Sequence, residues 1–165
     1  MIRRLQYWAL ALGVTLLAAC GGGGNSRNLV ETANASLNLS TLAEAVAAAD
    51  LGATLADAGP YTLIAPTDAA FAALLTELGI TKAQLLADKP LLTKVLTYHV
   101  LSGAVLKADV PLGKAVTTLQ GETFTVDTTL AITDQRARKA TITATDVMTS
   151  NGVIHVIDKV ILPKP

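Results

Sequence analysis

Cysteine, aromatic residues and charge are all scarce in this chain. Of 165 residues, one is cysteine, 4% are aromatic and 16% are charged, and the formal net charge is zero. A single cysteine cannot form an internal disulfide, and few aromatic rings leave little surface on which nucleic-acid bases can stack. Without an excess of basic residues the chain also lacks the electrostatic footprint of a nucleic-acid-binding protein. We therefore expect no nucleic-acid partner.

Side chains suited to catalysis or metal binding are equally few. The chain has two histidines, His99 and His155, and no cluster of His, Cys, Asp and Glu with the spacing of metal ligands. His99 and Asp68 could form a hydrolytic triad with Ser102 or another hydroxyl, but no Gly-x-Ser-x-Gly motif accompanies them. We expect no catalysis, no cofactor and no metal. A buried, hydrogen-bonded role is the first interpretation for both histidines, with partner contact as the alternative for His99.

The amino terminus has the pattern of a bacterial export signal. Two arginines, Arg3 and Arg4, precede an apolar stretch over residues 5–17. This stretch is shorter than the about 20 apolar residues that span a bilayer as a helix. We therefore predict a signal peptide over residues 1–19 that is removed on export by the general secretory route.

The only cysteine lies where a lipid anchor would be attached. The segment Leu17-Ala18-Ala19-Cys20 resembles the lipobox of bacterial lipoproteins, whose small residues let a signal peptidase reach the bond before a lipid-modified cysteine. A secretory signal with a chance cysteine is the alternative interpretation. Lipidation is favoured because it explains the one cysteine of an exported chain. The glycine after Cys20 predicts sorting to the outer membrane in a cell with two membranes.

Residues 20–33 are predicted to tether this anchor to one folded domain over residues 34–163. Four consecutive glycines, at positions 21–24, carry no side chains and favour a flexible coil. Removal of Arg3 and Arg4 with the signal would leave 11 of the 13 basic residues against 13 acidic ones. The mature chain would therefore be nearly neutral. Its length suits one domain.

Local patterns predict helices in the first half of the domain and strands in the second, which is typical of an α+β fold. Apolar residues recur at helical spacing from Leu39 to Ala49. The predicted helix starts are a capping box of Thr41 with Glu44 (or a cap from Asn38 or Ser40), Thr67, Thr81 with Gln84, and Pro90. Gly79 is the predicted end of the helix that Thr67 begins.

Two of the predicted strands are apolar on nearly every residue, as a strand buried on both faces must be. These are residues 61–65 and 153–162, and we expect them at the centre of the domain. Ser150-Asn151-Gly152 is a turn signal, because Asn and Gly tolerate a positive φ. The other predicted strands are residues 116–119, 122–127, 130–133 and 140–145.

Three segments resemble the signatures of the fasciclin domain, in the family's order. They are Ile64-Ala65-Pro66-Thr67-Asp68-Ala69-Ala70-Phe71, Tyr98-His99-Val100-Leu101 and Asn151-Gly152-Val153-Ile154-His155-Val156-Ile157-Asp158. The resemblance covers residues 34–162 and implies a wedge of two small β-sheets flanked by several helices from the N-terminal half. It implies structural roles for Thr67, Asp68, Asn151, Gly152 and His155.

The resemblance also implies an adhesion module that presents a surface to a matrix, cell-surface or envelope partner. The family's Asp-Ile adhesion motif aligns with Asp146 and Val147, and a second motif aligns with Tyr98 and His99. We predict that Asp146 lies in a loop, where its carboxylate stays solvated and can meet a partner. The alternative function is a carrier of a small apolar ligand, which would need a cavity of roughly several hundred Å³ between helices and sheet.

Overall fold

The computed structural model describes residues 27–57 and 59–165, which form helices and strands in the predicted order. The signal peptide, Cys20 and the glycine run predicted above lie outside these residues. The helices are α1 (Leu29–Ala35), α2 (Ser40–Ala48), α3 (Gly52–Ala56), α4 (Asp68–Leu78), α5 (Lys82–Ala87) and α6 (Lys89–Tyr98). The strands are β1 (Tyr61–Pro66), β2 (Val100–Ser102), β3 (Ala115–Thr117), β4 (Thr123–Val126), β5 (Ala131–Thr133), β6 (Lys139–Thr149) and β7 (Gly152–Ile157), with a 3₁₀ turn at Lys107–Asp109.

Helix α1 shows that the predicted boundary between tether and domain was wrong. The helix begins at Leu29, whereas residues up to 33 were assigned to a flexible tether. Asn28 and Glu31 form a capping box, in which each side chain accepts a hydrogen bond from the other's backbone amide, at 2.8 and 3.0 Å. Leu29 and Ala33 are buried, so the apolar face of α1 holds this segment on the domain.

Helices α4, α5 and α6 begin as predicted, but helix α2 does not. Thr67 and Thr81 cap α4 and α5, and Gly79 ends α4 in the left-handed conformation with φ 65°. Pro90 lies in the first turn of α6. The capping box predicted for Thr41 is absent because α2 begins at Ser40, two residues earlier than that box requires. Leu39 is the N-cap residue, so neither Thr41 nor the alternatives Asn38 and Ser40 caps the helix. Within the described ranges, none of the helices combines the length and apolar character needed to cross a bilayer.

The strands form one seven-stranded sheet in the order β2-β1-β7-β6-β5-β4-β3. Strands β1 and β7 pair in parallel, and the other neighbours are antiparallel. The long strand β6 pairs with β5 through residues 139–141 and with β7 through residues 142–149, so it belongs to two ladders. This arrangement, with the helices that precede it, confirms the predicted α+β fold.

The two strands that were predicted to be central lie at the centre of one ladder and separate two cores. A helix-side core contains Leu63 and Ile154, and a strand-side core contains Ile64 and Ile157. Each strand therefore buries both faces, as its continuous apolar sequence predicts. Strand β7 ends at Ile157, earlier than expected. Among the described residues, both cores are built from positions 29–162, so the segment 27–165 carries the described hydrophobic cores that an independent folding unit needs.

Candidate functional site

The first signature segment holds two helices together at the end of β1. Thr67 Oγ1 accepts a 3.2 Å hydrogen bond from the amide of Ala70 and so caps α4. The carboxylate of Asp68 reaches back to α2 and accepts bonds from the Thr41 amide at 2.7 Å and the Ser40 hydroxyl at 2.8 Å. Burial opposes ionisation of Asp68, but these hydrogen bonds outweigh it and lower its pKa. The predicted structural role of Thr67 and Asp68 agrees with this geometry.

Asn151 of the second signature segment connects three parts of the chain. Its side-chain nitrogen donates to the carbonyls of Leu55 and Asp57, at 2.7 and 2.9 Å. Its side-chain oxygen accepts a 2.9 Å bond from the amide of Leu29. Asn151 thus ties helices α1 and α3 to the turn between β6 and β7.

Position 152 requires glycine for a different reason from the predicted positive φ. Neither Asn151 nor Gly152 has a positive φ. A Cβ atom at position 152 would lie 1.9 Å from the carbonyl oxygen of Tyr61, on the neighbouring strand β1. Only glycine fits because the two backbones approach too closely for any side chain.

Tyr98 and His99 lie inside the protein, so their predicted role in partner binding was wrong. Their exposed fractions are 0% and 1%. The Tyr98 hydroxyl donates to the carbonyl of Thr123 at 2.9 Å. His99 Nδ1 lies 2.8 Å from the Val95 carbonyl, and its Nε2 accepts a bond from the Ile161 amide at 3.3 Å. Both ring nitrogens are thus bonded in the neutral tautomer with hydrogen on Nδ1, and burial lowers the pKa of His99 to about 4.

His155 is also buried and structural. Its Nε2 lies 2.8 Å from the carbonyl of Val105, and its Nδ1 accepts a 3.3 Å bond from the backbone amide of Asp146. The ring therefore joins β7 to β6 and to the loop that follows β2. Because both histidines use both ring nitrogens on the backbone, neither is placed as a general base.

Asp146 lies within strand β6, not in the predicted loop. It occupies a register irregularity between Ala144 and Val147 and has φ 58°, a left-handed conformation that Asp tolerates better than most residues. Its Oδ1 accepts a 2.8 Å bond from the amide of Lys107. Its Oδ2 has no hydrogen-bond partner among residues 27–57 and 59–165, and the side chain is exposed.

The residues after Asp146 divide between core and surface. Val147 is half-buried and packs against the helix-side core, whereas 51% of Met148 is exposed. Met148 borders an open depression of about 390 Å³, also lined by residues 59–60, Ala104 and residues 149–153. We name Asp146, Met148 and this depression the β6 surface. Sequence reasoning located Asp146 but missed Met148, whose exposure follows from the alternation of β6 beyond the bulge.

The described residues contain no group of three or more His, Cys, Asp or Glu side chains that could hold a metal ion. The signature segments are occupied with internal contacts. The exposed face of β6 and its neighbouring loop are accessible, and Asp146 and Met148 lie there. The fold thus defines an α+β domain whose signature residues make internal contacts.

The chain belongs to the fasciclin family, because the family model described as Fasciclin domain matches residues 37–163. Protein sll1483 from Synechocystis sp. (strain ATCC 27184 / PCC 6803 / Kazusa) is 44% identical over 142 residues, which cover 84% of this chain and 75% of that protein. The transforming growth factor-beta-induced protein ig-h3 of Sus scrofa is 35% identical over 123 residues, or 74% of this chain and 17% of that protein. A solved FAS1 domain pair from the insect cell adhesion molecule Fasciclin I has a TM-score of 0.47 and 18% identity, with 80% of this chain and 43% of that chain covered.

Proposed function

We propose that this protein is a membrane-anchored adhesion module that binds a partner outside the cytoplasm through its β6 surface. Fasciclin domains are associated with cell adhesion in its relatives. The observation that carries the proposal is the exposure of Asp146 and Met148 on β6, at the position of the family's adhesion motif. A carboxylate beside an apolar side chain offers a partner both an ion-pairing group and a desolvated contact.

The β6 surface is held in place before any partner arrives. The Lys107 amide and His155 bond to opposite ends of residue Asp146, its carboxylate and its backbone amide. A contact group that is already ordered loses little conformational entropy on binding. Asp146 Oδ2 and Met148 are therefore the groups that we assign to the partner contact, with Val147 as their support.

The small internal space of the strand-side core favours adhesion over the transport of an enclosed apolar ligand. The space inside the strand-side core, lined by residues such as Phe124, Val126 and Ile132, is only about 10 Å³. A site that encloses a small molecule has a volume of roughly 300–1,000 Å³. The strand-side core is thus filled by its own side chains.

The anchor that we propose at Cys20 would hold the β6 surface near the membrane. Six residues lie between Cys20 and Arg27, so the seven chain steps span at most about 25 Å even when fully extended. The carbonyl of Arg27 accepts a 2.9 Å bond from the amide of Ser150, in the turn that ends β6. This short span favours an envelope partner close to the membrane that carries the anchor, the outer membrane in a cell with two membranes.

The anchor is tested by the Cys20→Ser variant of the whole chain. Serine offers no sulfur for lipid attachment, so we expect the variant to leave the detergent phase and to remain unprocessed. Phase partition and the migration of the protein on a gel measure both effects. Unchanged partition would overturn the lipoprotein proposal.

The contact surface is tested with cells that display the anchored protein at matched density. We expect the double variant Asp146→Asn with Met148→Thr to reduce adhesion about tenfold, the effect of losing about 1.4 kcal/mol of contact energy. Asp50→Asn is the matched control, because Asp50 is also exposed and also has a left-handed conformation, with φ 57°. Full adhesion by a folded double variant would exclude the β6 surface as the contact.

A further inference from the structure

A second surface feature, separate from the β6 surface, is an apolar groove among helices α4, α5 and α6. It has a volume of about 140 Å³. It shares no residue with the β6 surface, so its function does not depend on adhesion. The lining residues are Leu74, Leu78, Leu85, Leu91, Lys94, Val95, Arg136 and residues 162–165.

The floor of the groove is formed by buried aliphatic side chains. Leu74, Leu85, Val95 and Leu162 are each at most 4% exposed, whereas Leu78 at the rim is 41% exposed. An apolar cavity of about 150 Å³ in another protein stays dry and binds benzene. The groove therefore has room for an apolar body about the size of one benzene ring, and burying that body would remove apolar surface from water.

The charged side chains that line the groove all carry positive charge. They are Lys94, Arg136 and Lys164. No Asp or Glu is among the lining residues, and in the segment 27–165 the one negative group on the lining is the terminal carboxylate of Pro165. Lys94 Nζ donates to the carbonyl of Lys164 at 2.8 Å, and Arg136 Nε donates to the carbonyl of Pro163 at 2.9 Å. These two bonds hold residues 163–164 along the rim.

Part of this positive charge is not used within the domain. Among the residues that the structure describes, the terminal guanidinium nitrogens of Arg136 and the Nζ of Lys164 have no hydrogen-bond or ion-pair partner. Three nearby carboxylates are already engaged. Glu77 pairs with Arg138 at 2.6 Å, Glu122 accepts the Lys164 amide at 2.7 Å, and Asp134 accepts the backbone amides of Arg136 at 2.9 Å and Leu162 at 2.8 Å. A ligand anion would therefore meet unpaired cations.

We propose that this groove binds a small monocarboxylate with an apolar body, such as an aromatic acid. The apolar body occupies the floor between Leu74, Leu85 and Val95. The carboxylate lies at the rim, where it accepts two hydrogen bonds from the guanidinium of Arg136 and Lys164 adds a second positive charge. The neutral analogue of the same shape gains only the apolar contact.

The test is a titration of residues 27–165 followed by amide NMR shifts, with benzoate as the probe. Benzyl alcohol supplies the same ring without the charge, and acetate supplies the charge without the ring. We expect benzoate to shift the amides of the groove residues saturably, benzyl alcohol to bind about 3- to 10-fold more weakly, and acetate to leave them unmoved. Absence of saturable shifts with benzoate, or equal affinity for benzoate and benzyl alcohol, would overturn the proposal.

Variants at the rim separate charge recognition from a general apolar contact. We expect Arg136→Gln to lower benzoate affinity to that of benzyl alcohol. Lys164→Gln gives the same test without touching a structural bond, because its Nζ has no partner among the described residues. Lys114→Gln is the control, since this exposed cation lies outside the groove. Unchanged benzoate affinity in both rim variants would exclude the carboxylate site.

Discussion

The amide of Lys107 donates a 2.8 Å hydrogen bond to Oδ1 of Asp146, so a side chain of β6 holds the loop that follows β2. His155 holds the same loop through the carbonyl of Val105, at 2.8 Å. The residue that we assign to partner contact is thus also a residue that orders its surroundings. Tests of adhesion must separate these two roles.

Substitutions at Asp146 can separate charge from structure. We expect Asp146→Ala to lower the free energy of unfolding by about 2 kcal/mol, because it removes the hydrogen bond from the Lys107 amide and places Ala in a left-handed conformation. Asp146→Asn keeps an acceptor oxygen and tolerates that conformation, so it should change stability by less than about 0.5 kcal/mol. Urea denaturation measures both. Asp50→Ala is the control for alanine in the same φ region, and it loses an exposed ion pair to Lys89 but no bond to a backbone amide. A loss of equal size there would count against a contribution from the Lys107 bond.

Gly152→Ala is expected to cost about 3 kcal/mol or more, because the added Cβ would lie 1.9 Å from the carbonyl oxygen of Tyr61 and force β1 and β7 apart. Gly52→Ala is the matched control. A Cβ at Gly52 meets nothing within 4 Å, and alanine favours the helix by about 0.5–1 kcal/mol. Thermal melts of both variants give the comparison. Similar melting temperatures would contradict the close approach of the two strands.

Thr67→Ala is expected to destabilise the domain by about 1 kcal/mol through loss of the cap on α4. The control within the same helix is Thr76→Ala, whose exposed hydroxyl bonds only to the carbonyl of Ala72, so its removal should be neutral or slightly stabilising. The denaturation midpoint of Thr67→Ala should therefore fall below that of wild type. The midpoint of Thr76→Ala should stay the same or rise. A shift confined to Thr76→Ala would refute the assigned cap.

Stability is expected to fall as the pH drops from about 7 to 4. Burial lowers the pKa of His99 from 6.5 to about 4, so between these values the unfolded chain binds a proton that the folded domain excludes. Stability contributed by neutral His99 is present above pH 6.5 and is lost towards pH 4, by about 3 kcal/mol in all. The lowered pKa of Asp68 makes stability depend on pH only below about 3.8, which is outside this range.

The measurement is the difference between wild type and His99→Gln in unfolding free energy across this pH range. Glutamine keeps a donor and an acceptor but does not titrate. We expect the advantage of wild type to shrink as the pH falls. A difference that is constant with pH would mean that His99 does not supply the linkage.

Local sequence patterns were sufficient where one segment's own chemistry decides its structure. Thr67, Thr81 and Gly79 begin or end helices through bonds and backbone angles within a few residues, and their outcomes matched the predictions. The continuous apolar runs of β1 and β7 likewise required burial on both faces, whatever their neighbours. Helix α1 escaped prediction because seven residues are too few to show an apolar pattern, although Asn28 and Glu31 carry a local capping-box signal that could have found it.

The candidate site depended on contacts between residues far apart in the chain. The sequence of residues 98–99 combines apolar and polar character and does not indicate burial. Their burial follows from the packing of the two cores. Asp146 looks like a loop residue, because the bulge that keeps it in β6 is created by pairing with β7. Sequence alone determined the family, the helices with their own caps and the central strands, since these depend on local bonds and apolar patterns. Tertiary structure decided which signature residues remain at the surface, because exposure depends on what packs above each side chain.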